Sequence, residues 1–154
     1  MEVILQVDKN TQKPKIIICT PKKSSYFDDL VNKIRRMLGE EKINVKQGSD
    51  YLSVKISDIE RIYTENHNVF CEINSCKYKL KERIYEMVDL LPHDTFFQIS
   101  QSEIVNRKFI DKFKLTSTGL YQVILKNDVV TYASRRCMYK IKKEYLKWKN
   151  LLED

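Results

Sequence analysis

Short apolar runs, each bounded by polar turns, constrain this chain more than any other feature. Ile43-Asn44-Val45-Lys46, Tyr51-Leu52-Ser53-Val54, Ile62-Tyr63-Thr64, Val69 to Ile73 and Lys77 to Leu80 follow one another, with punctuation such as Gln47-Gly48-Ser49-Asp50 between them. Runs of this length between turn residues read as strands. Asn74-Ser75 joins two of them as a hairpin, and Ile56, Ile59 and Ile62 surround Asp58 in a tight turn that leads into the next strand. The pattern resumes at Phe96-Phe97 and continues through Phe109 to Leu115, Tyr121 to Leu125 and Val129 to Tyr132. Ser117-Thr118-Gly119 and Lys126-Asn127-Asp128 supply the turns.

Three segments carry helical spacing instead. Phe27, Leu30, Val31, Ile34 and Leu38 recur on one face after a cap at Ser24 or Ser25, and Gly39 ends that helix. Ile84, Met87, Val88 and Leu91 mark a helix over Glu82 to Leu91, stopped by Pro92. Ser134 caps a last helix with Met138, Ile141, Tyr145 and Trp148 on one face and Lys140, Lys142, Lys143, Lys147 and Lys149 over much of the rest. Ahead of the first helix, Met1 to Val7 and Lys13 to Cys19, with its run Ile16-Ile17-Ile18, are expected to pair as strands. The expected fold is α+β, mainly β, with a strand-strand-helix lobe over 1–42 and a strand-rich domain over 43–154. A lobe this small cannot hold a phosphoacceptor domain, which needs about a hundred residues. Aspartyl phosphorylation within this chain is therefore not expected.

Composition narrows the function class. With 42% hydrophobic and 32% charged residues and only three glycines and three prolines, the chain should be folded nearly throughout. A balance of 28 basic against 21 acidic residues, formally +7, suits an anionic partner such as nucleic acid. The sequence shows neither a membrane span nor a signal peptide, so a cytoplasmic protein is expected. Cys19, Cys71, Cys76 and Cys137 are scattered and read as reduced thiols; no Cys-x-x-Cys or His-x-x-x-His pair suggests zinc, and no cofactor is expected. There is no phosphate-cradling glycine loop or serine elbow, and His67 and His93 lack a recognisable nucleophile partner, so an enzyme is not expected.

Several separated signatures resemble the LytTR family of bacterial DNA-binding domains across roughly 43–146. Ile56-Ser57-Asp58-Ile59-Glu60-Arg61-Ile62-Tyr63 is similar to the family's opening turn and strand, and Leu80 to Leu91 to its short helix. Phe96-Phe97 through Ser102 with Val105-Asn106 resembles its central motif, and Tyr132-Ala133-Ser134-Arg135-Arg136 its closing signature. The resemblance implies short antiparallel strands whose loops, rather than a recognition helix, enter the major groove of double-stranded DNA. It also implies a transcriptional regulator that occupies repeated sites with two copies, with a homodimer as one possibility. The short extension points to the stand-alone branch, in which a membrane protein encoded nearby often serves as inhibitor.

Three positions match the family's base contacts: His67 in the turn before Val69, Gln101 before Ser102, and Arg136 beside Arg135. A glutamine amide donates and accepts together at an adenine edge, and an arginine does the equivalent at guanine. Arg135 and Arg136 sit in the first turn of a helix, where the dipole disfavours cations, which suits an external phosphate. Ser102, Arg107, Lys108, Lys112, Lys140 and Lys143 are further candidates for the DNA backbone, whereas Asn106 reads as a satisfier of backbone groups. Gln98 and Ser100 replace the family's usual basic residue and histidine, so this loop has lost positive charge. That departure motivates the alternative, a protein–protein interaction adaptor that keeps the fold with weak or lost DNA binding. An RNA-binding module is a further rival, but no paired aromatic-rich RNA motif is present.

Overall fold

Two antiparallel sheets pack around one pair of strands. In the computed structural model, which describes residues 6–10 and 12–152 and side-chain surroundings as far as Glu144, the larger sheet is built from β1 (Lys42–Gln47), β2 (Asp50–Lys55), β3 (Arg61–Glu65), β4 (Asn68–Ile73), β5 (Cys76–Leu80), β6 (Phe96–Ser100) and β7 (Glu103–Asn106). Their order across the sheet is β2-β1-β5-β4-β3-β7-β6. The smaller sheet has the order β10-β9-β8, from β8 (Ile110–Leu115), β9 (Tyr121–Leu125) and β10 (Val130–Ala133). Three helices complete the chain: α1 (Ser25–Met37), α2 (Ile84–Leu90) and α3 (Arg135–Leu152).

Alternation along β6 and β7 creates two cores. Phe96 and Ile104 turn into the first, with Ile43, Val45, Ile59, Ile62, Cys71 and Met87 of α2. Phe97, Ile99 and Val105 turn the other way, into a second core with Val123, Leu125, Ala133 and the α3 residues Met138 and Ile141. β7 is the strand that periodicity does not announce. Ile104, Val105 and Asn106 are all buried because the strand is covered on both faces, so the alternation that marks a half-exposed strand is missing. A 3-10 turn at Arg107–Phe109 delays the next strand to Ile110.

The amino-terminal part differs from expectation. α1 is present, but Lys13 to Cys19 carries no strand, and Met1 to Leu5 lie outside the described residues. Val7, Ile16 and Ile17 are exposed at 82%, 62% and 68%, so the apolar run has no described core to join. Local β-propensity without a partner strand does not make a strand.

One end of the structure is held by side chains. Glu60 is 5% exposed; its Oε1 accepts the Asn74 N–H at 3.0 Å and its Oε2 accepts the Asn127 Nδ2–H at 2.7 Å. The Asn106 side chain donates to the Ile59 carbonyl at 2.8 Å and accepts the Lys108 N–H at 3.0 Å, as expected of a backbone satisfier. The β4–β5 turn, the β9–β10 turn and the end of β7 are thus fastened together at a closed pole, leaving the turns at the opposite end free to meet something else.

Candidate nucleic-acid interface

The open edge is assembled from four loops. Asn66 and His67 join β3 to β4, with φ of 49° and 62°. Two positive φ values make the tight turn whose twist matches that of the flanking strands. Beside it, Gln101 and Ser102 join β6 to β7, and the Ser100 hydroxyl accepts the Ser102 N–H at 3.2 Å. Thr64 N–H donates to the Ser102 carbonyl at 2.9 Å, fixing the two turns side by side. Ser134 N–H donates to the Ile99 carbonyl at 2.8 Å, bringing the start of α3 against the same turn, and Ser134 Oγ accepts the Cys137 N–H at 3.2 Å as the helix cap. The β8–β9 turn completes the edge: Gly119 has φ of 78°, and a Cβ there would lie 3.4 Å from Arg135 Nη2.

This geometry places His67, Gln101, Ser102, Arg135 and Arg136 along one edge, all exposed. Backbone bonds position the loops, and among the described residues no hydrogen bond or ion pair engages the side chains of His67, Gln101, Arg135 or Arg136. Their donors and acceptors face solvent. The Ser100 hydroxyl closes the turn beneath Gln101.

The other candidates are spread more widely. Lys140 and Lys143 follow Arg135 on α3 at about 8 and 12 Å along the axis, given about 1.5 Å per residue. Lys140 also lines a groove of about 220 Å³ with His93, Gln98, Cys137 and Glu144. Lys112 lies opposite Ile124, away from the turn, with Asp111 4.0 Å from its ammonium. Arg107 and Lys108 follow β7 at the closed pole, about 14 Å from Gln101 at roughly 3.4 Å per strand residue. Arg107 lies over the Phe97 ring, 5.5 Å from its centroid.

Behind the edge, a charged junction ties the sheets together. Arg61 Nε and Nη2 donate to the Glu72 carboxylate at 2.6 and 2.8 Å, and Nη1 to Glu103 Oε1 at 3.2 Å. Glu103 Oε2 also accepts the Thr131 hydroxyl of β10 at 2.5 Å. The hydrogen bonds from Arg61 outweigh desolvation and hold the Glu72 carboxyl below its ordinary range; those to Glu72 hold the guanidinium above its own. Burial pushes the Cys71 thiol up to about 12, leaving it a core side chain rather than a reactive one.

The family described as LytTr DNA-binding domain matches residues 49–145. The chain belongs to this family. A LytTr DNA-binding domain of a putative methyl-accepting/DNA response regulator from Bacillus cereus has the same fold, with a TM-score of 0.63 and 18% identity over 68% of this chain and 96% of that one. Two relatives from Staphylococcus aureus, strains MRSA252 and NCTC 8325, both called uncharacterized HTH-type transcriptional regulators, are 31% identical over 92% of this chain and 96% of their own length. Among the described residues of this LytTr chain no helix directly follows another, so loops rather than a helix–turn–helix form the exposed edge. No helix among them is long and apolar enough to cross a membrane.

Lys114 is an edge residue that sequence reasoning missed. It is exposed, pairs with Gln122 one position before the end of β8, and lies closer to the Gly119 turn than Lys112 does. The β8–β9 register shifts between Ile110 and Lys112, an irregularity that no periodicity in the run reveals.

Proposed function

We propose that this LytTr chain is a sequence-specific transcriptional regulator whose open edge reads the major groove of double-stranded DNA. The observation that carries this is the alignment of His67 and Gln101, on two adjoining turns, with Arg136 in the first turn of α3, each with an uncommitted side chain. Gln101 is assigned to an adenine edge, Arg136 to a guanine edge, and His67 to a third base position, since paired donors and acceptors discriminate bases by about 1–3 kcal/mol each. Arg135, Ser102 and Lys114 flank them as phosphate contacts, with Lys140 and Lys143 engaging backbone further along α3; the free N–H groups at the start of α3 suit a phosphate. Lys112, Arg107 and Lys108 lie progressively farther from this surface. Two copies on a repeated site, an inhibitor docking on the amino-terminal lobe and a cytoplasmic location extend the same proposal.

Fluorescence anisotropy on a duplex from the region upstream of the protein's own gene tests it. Log affinity is expected to fall with log salt by about 0.9 per neutralised phosphate. Gln101→Ala and Arg136→Ala should each relax preference at one base pair. Unchanged affinity and preference in both variants would remove the proposed surface. Absence of duplex affinity even at low salt would favour the adaptor that keeps only the fold.

A further inference from the structure

Three lysines gather on the face of the larger sheet that is turned away from its core. Val69, Cys71 and Ile73 of β4 point into that core, and Phe70 between them points outward. Around Phe70, the exposed Lys46, Lys77 and Lys79 line an open concavity of about 410 Å³ with Gln47 and Gly48, and none of these lining residues is acidic. Lys79 of β5 stands opposite Phe70 on one side and opposite Lys46 of β1 on the other. Lys77 is occupied: its ammonium bonds the Glu65 carboxylate and lies 4.0 Å from the centroid of the Phe70 ring. Lys46 lies 5.5 Å from the Tyr51 ring centroid, and no hydrogen bond or ion pair among the described residues engages the ammonium of Lys46 or Lys79. Like charges directly opposite each other on neighbouring strands are destabilising. An external anion between them removes that cost.

We propose that Lys46 and Lys79 hold the phosphate backbone of duplex DNA just beyond the base pairs met by His67, which rests on the reading of the open edge as the DNA surface. Val69 of β4 pairs with Leu80 at the end of β5, so Lys79 sits on a strand that runs up to the His67 turn. Phe70, level with Lys79, is three residues from His67, about 10 Å at roughly 3.4 Å per residue. The major groove is about 8.5 Å deep, so a loop that touches base edges carries side chains this far behind its tip at the level of the phosphates. Sheet order sets the direction. β5 and β1 lie on the side of β4 away from β3 and β7, so they extend the line from Gln101 to His67 outward, by about 5 and 10 Å at one and two strand spacings.

Contacts to phosphate add affinity and fix register without reading sequence. A lysine suits that task, as a point charge on a long flexible stem. Neutralising Lys46 and Lys79 should therefore weaken binding alike for the proper site and for sites with altered bases, unlike Gln101→Ala or Arg136→Ala. Lys46 also lies outside residues 49–145, the span that matches the family, so the family signatures do not point to it.

Fluorescence anisotropy of the full chain is the experiment, on a duplex carrying a single site from the region upstream of its own gene and on copies shortened stepwise from either end. On the full duplex, the double variant Lys46→Gln/Lys79→Gln should lower the salt slope by about 1.8, at about 0.9 for each phosphate, with base preference unchanged. Shortening the end next to His67 should weaken the parent and leave the double variant as it was, so that the two bind alike. Lys108→Gln/Lys126→Gln removes the same charge at the closed pole and should keep the parent's slope. Without DNA, the thermal midpoint of Lys46→Gln/Lys79→Gln should equal or exceed the parent's, because two opposed charges are gone; a lower midpoint would remove the like-charge argument on which the proposal stands. An unchanged slope, a loss as large on the shortened duplex as on the full one, or an equal loss in the closed-pole control would overturn the proposal and leave the edge reading intact. A parent chain without duplex affinity would remove both.

Discussion

At the closed pole, the Glu60 and Asn106 side chains make hydrogen bonds inside the protein; at the open edge, the side chains of His67, Gln101 and Arg136 make none among the described residues. The two ends are fixed by different means. Buried polar side chains lock the pole, where two sheets and three turns must be held in register. The edge is positioned by main-chain bonds from Thr64 to Ser102 and from Ser134 to Ile99, which order the loops without consuming the groups that project from them. On the proposed reading this division separates stability from recognition, so substitutions at the two ends should have nearly opposite signatures.

Glu60→Ala should have the largest effect. It removes a carboxylate that is only 5% exposed and leaves the part-buried Asn74 N–H and Asn127 amide without their partner, which costs about 1–3 kcal/mol. Urea denaturation should show the loss in the midpoint, and any change in DNA affinity should follow the folded fraction. If Glu60→Ala were as stable as the parent, the pole would not be the fastening that its geometry indicates.

At the edge the balance reverses. Gln101→Ala and Arg136→Ala should stay within about 0.5 kcal/mol of the parent in stability, while losing about 1–3 kcal/mol of discrimination at their base pairs. His67 permits a cleaner separation. Because its φ is 62°, glycine relieves a backbone position that side chains dislike, so His67→Gly should keep or slightly raise stability while removing the imidazole. A variant that lost stability and binding together would show that His67 holds the turn rather than reads through it.

The junction between the two regions supplies a smaller, pH-dependent effect. Arg61 depresses the Glu72 carboxyl in the folded state, so the pair adds stability above the unfolded carboxyl range, near pH 4.3, and that stability is lost as pH falls through the depressed value. Glu72→Gln should be less stable than the parent at neutral pH and should converge on it in acid. Parallel curves in both pH ranges would place the stabilisation elsewhere.

The hairpins were readable because their signals are local: Asn74-Ser75 between two apolar runs, Gly119 in a polar turn, Ser134 before a helical stripe. The family signatures pointed to His67, Gln101 and Arg136, which the fold brings, exposed, to one edge. β7 was hidden because burial on both faces erases alternation, and the expected strand over Lys13 to Cys19 failed because Ile16-Ile17-Ile18 had no described strand to pair with. The lysines were the least legible. An exposed lysine looks alike at any position along a strand, and only the register distinguishes Lys114 near the Gly119 turn from Lys112 farther down β8.

Lys108 provides the smallest expected effect and the sharpest control on the two-ended view. Basic residues that follow a recognition loop within a few positions invite assignment to the DNA backbone, and Lys108 stands seven residues after Gln101. β7 carries the chain the length of the sheet in between, and the Asn106 side chain then holds the Lys108 N–H at the closed pole. Lys108→Ala should therefore leave both the affinity for a short duplex and its salt slope unchanged, whereas Arg135→Ala should lower that slope by about one phosphate's share. Equal losses from the two variants would mean that DNA wraps past the edge to the pole, and the separation of fastening from reading would no longer hold.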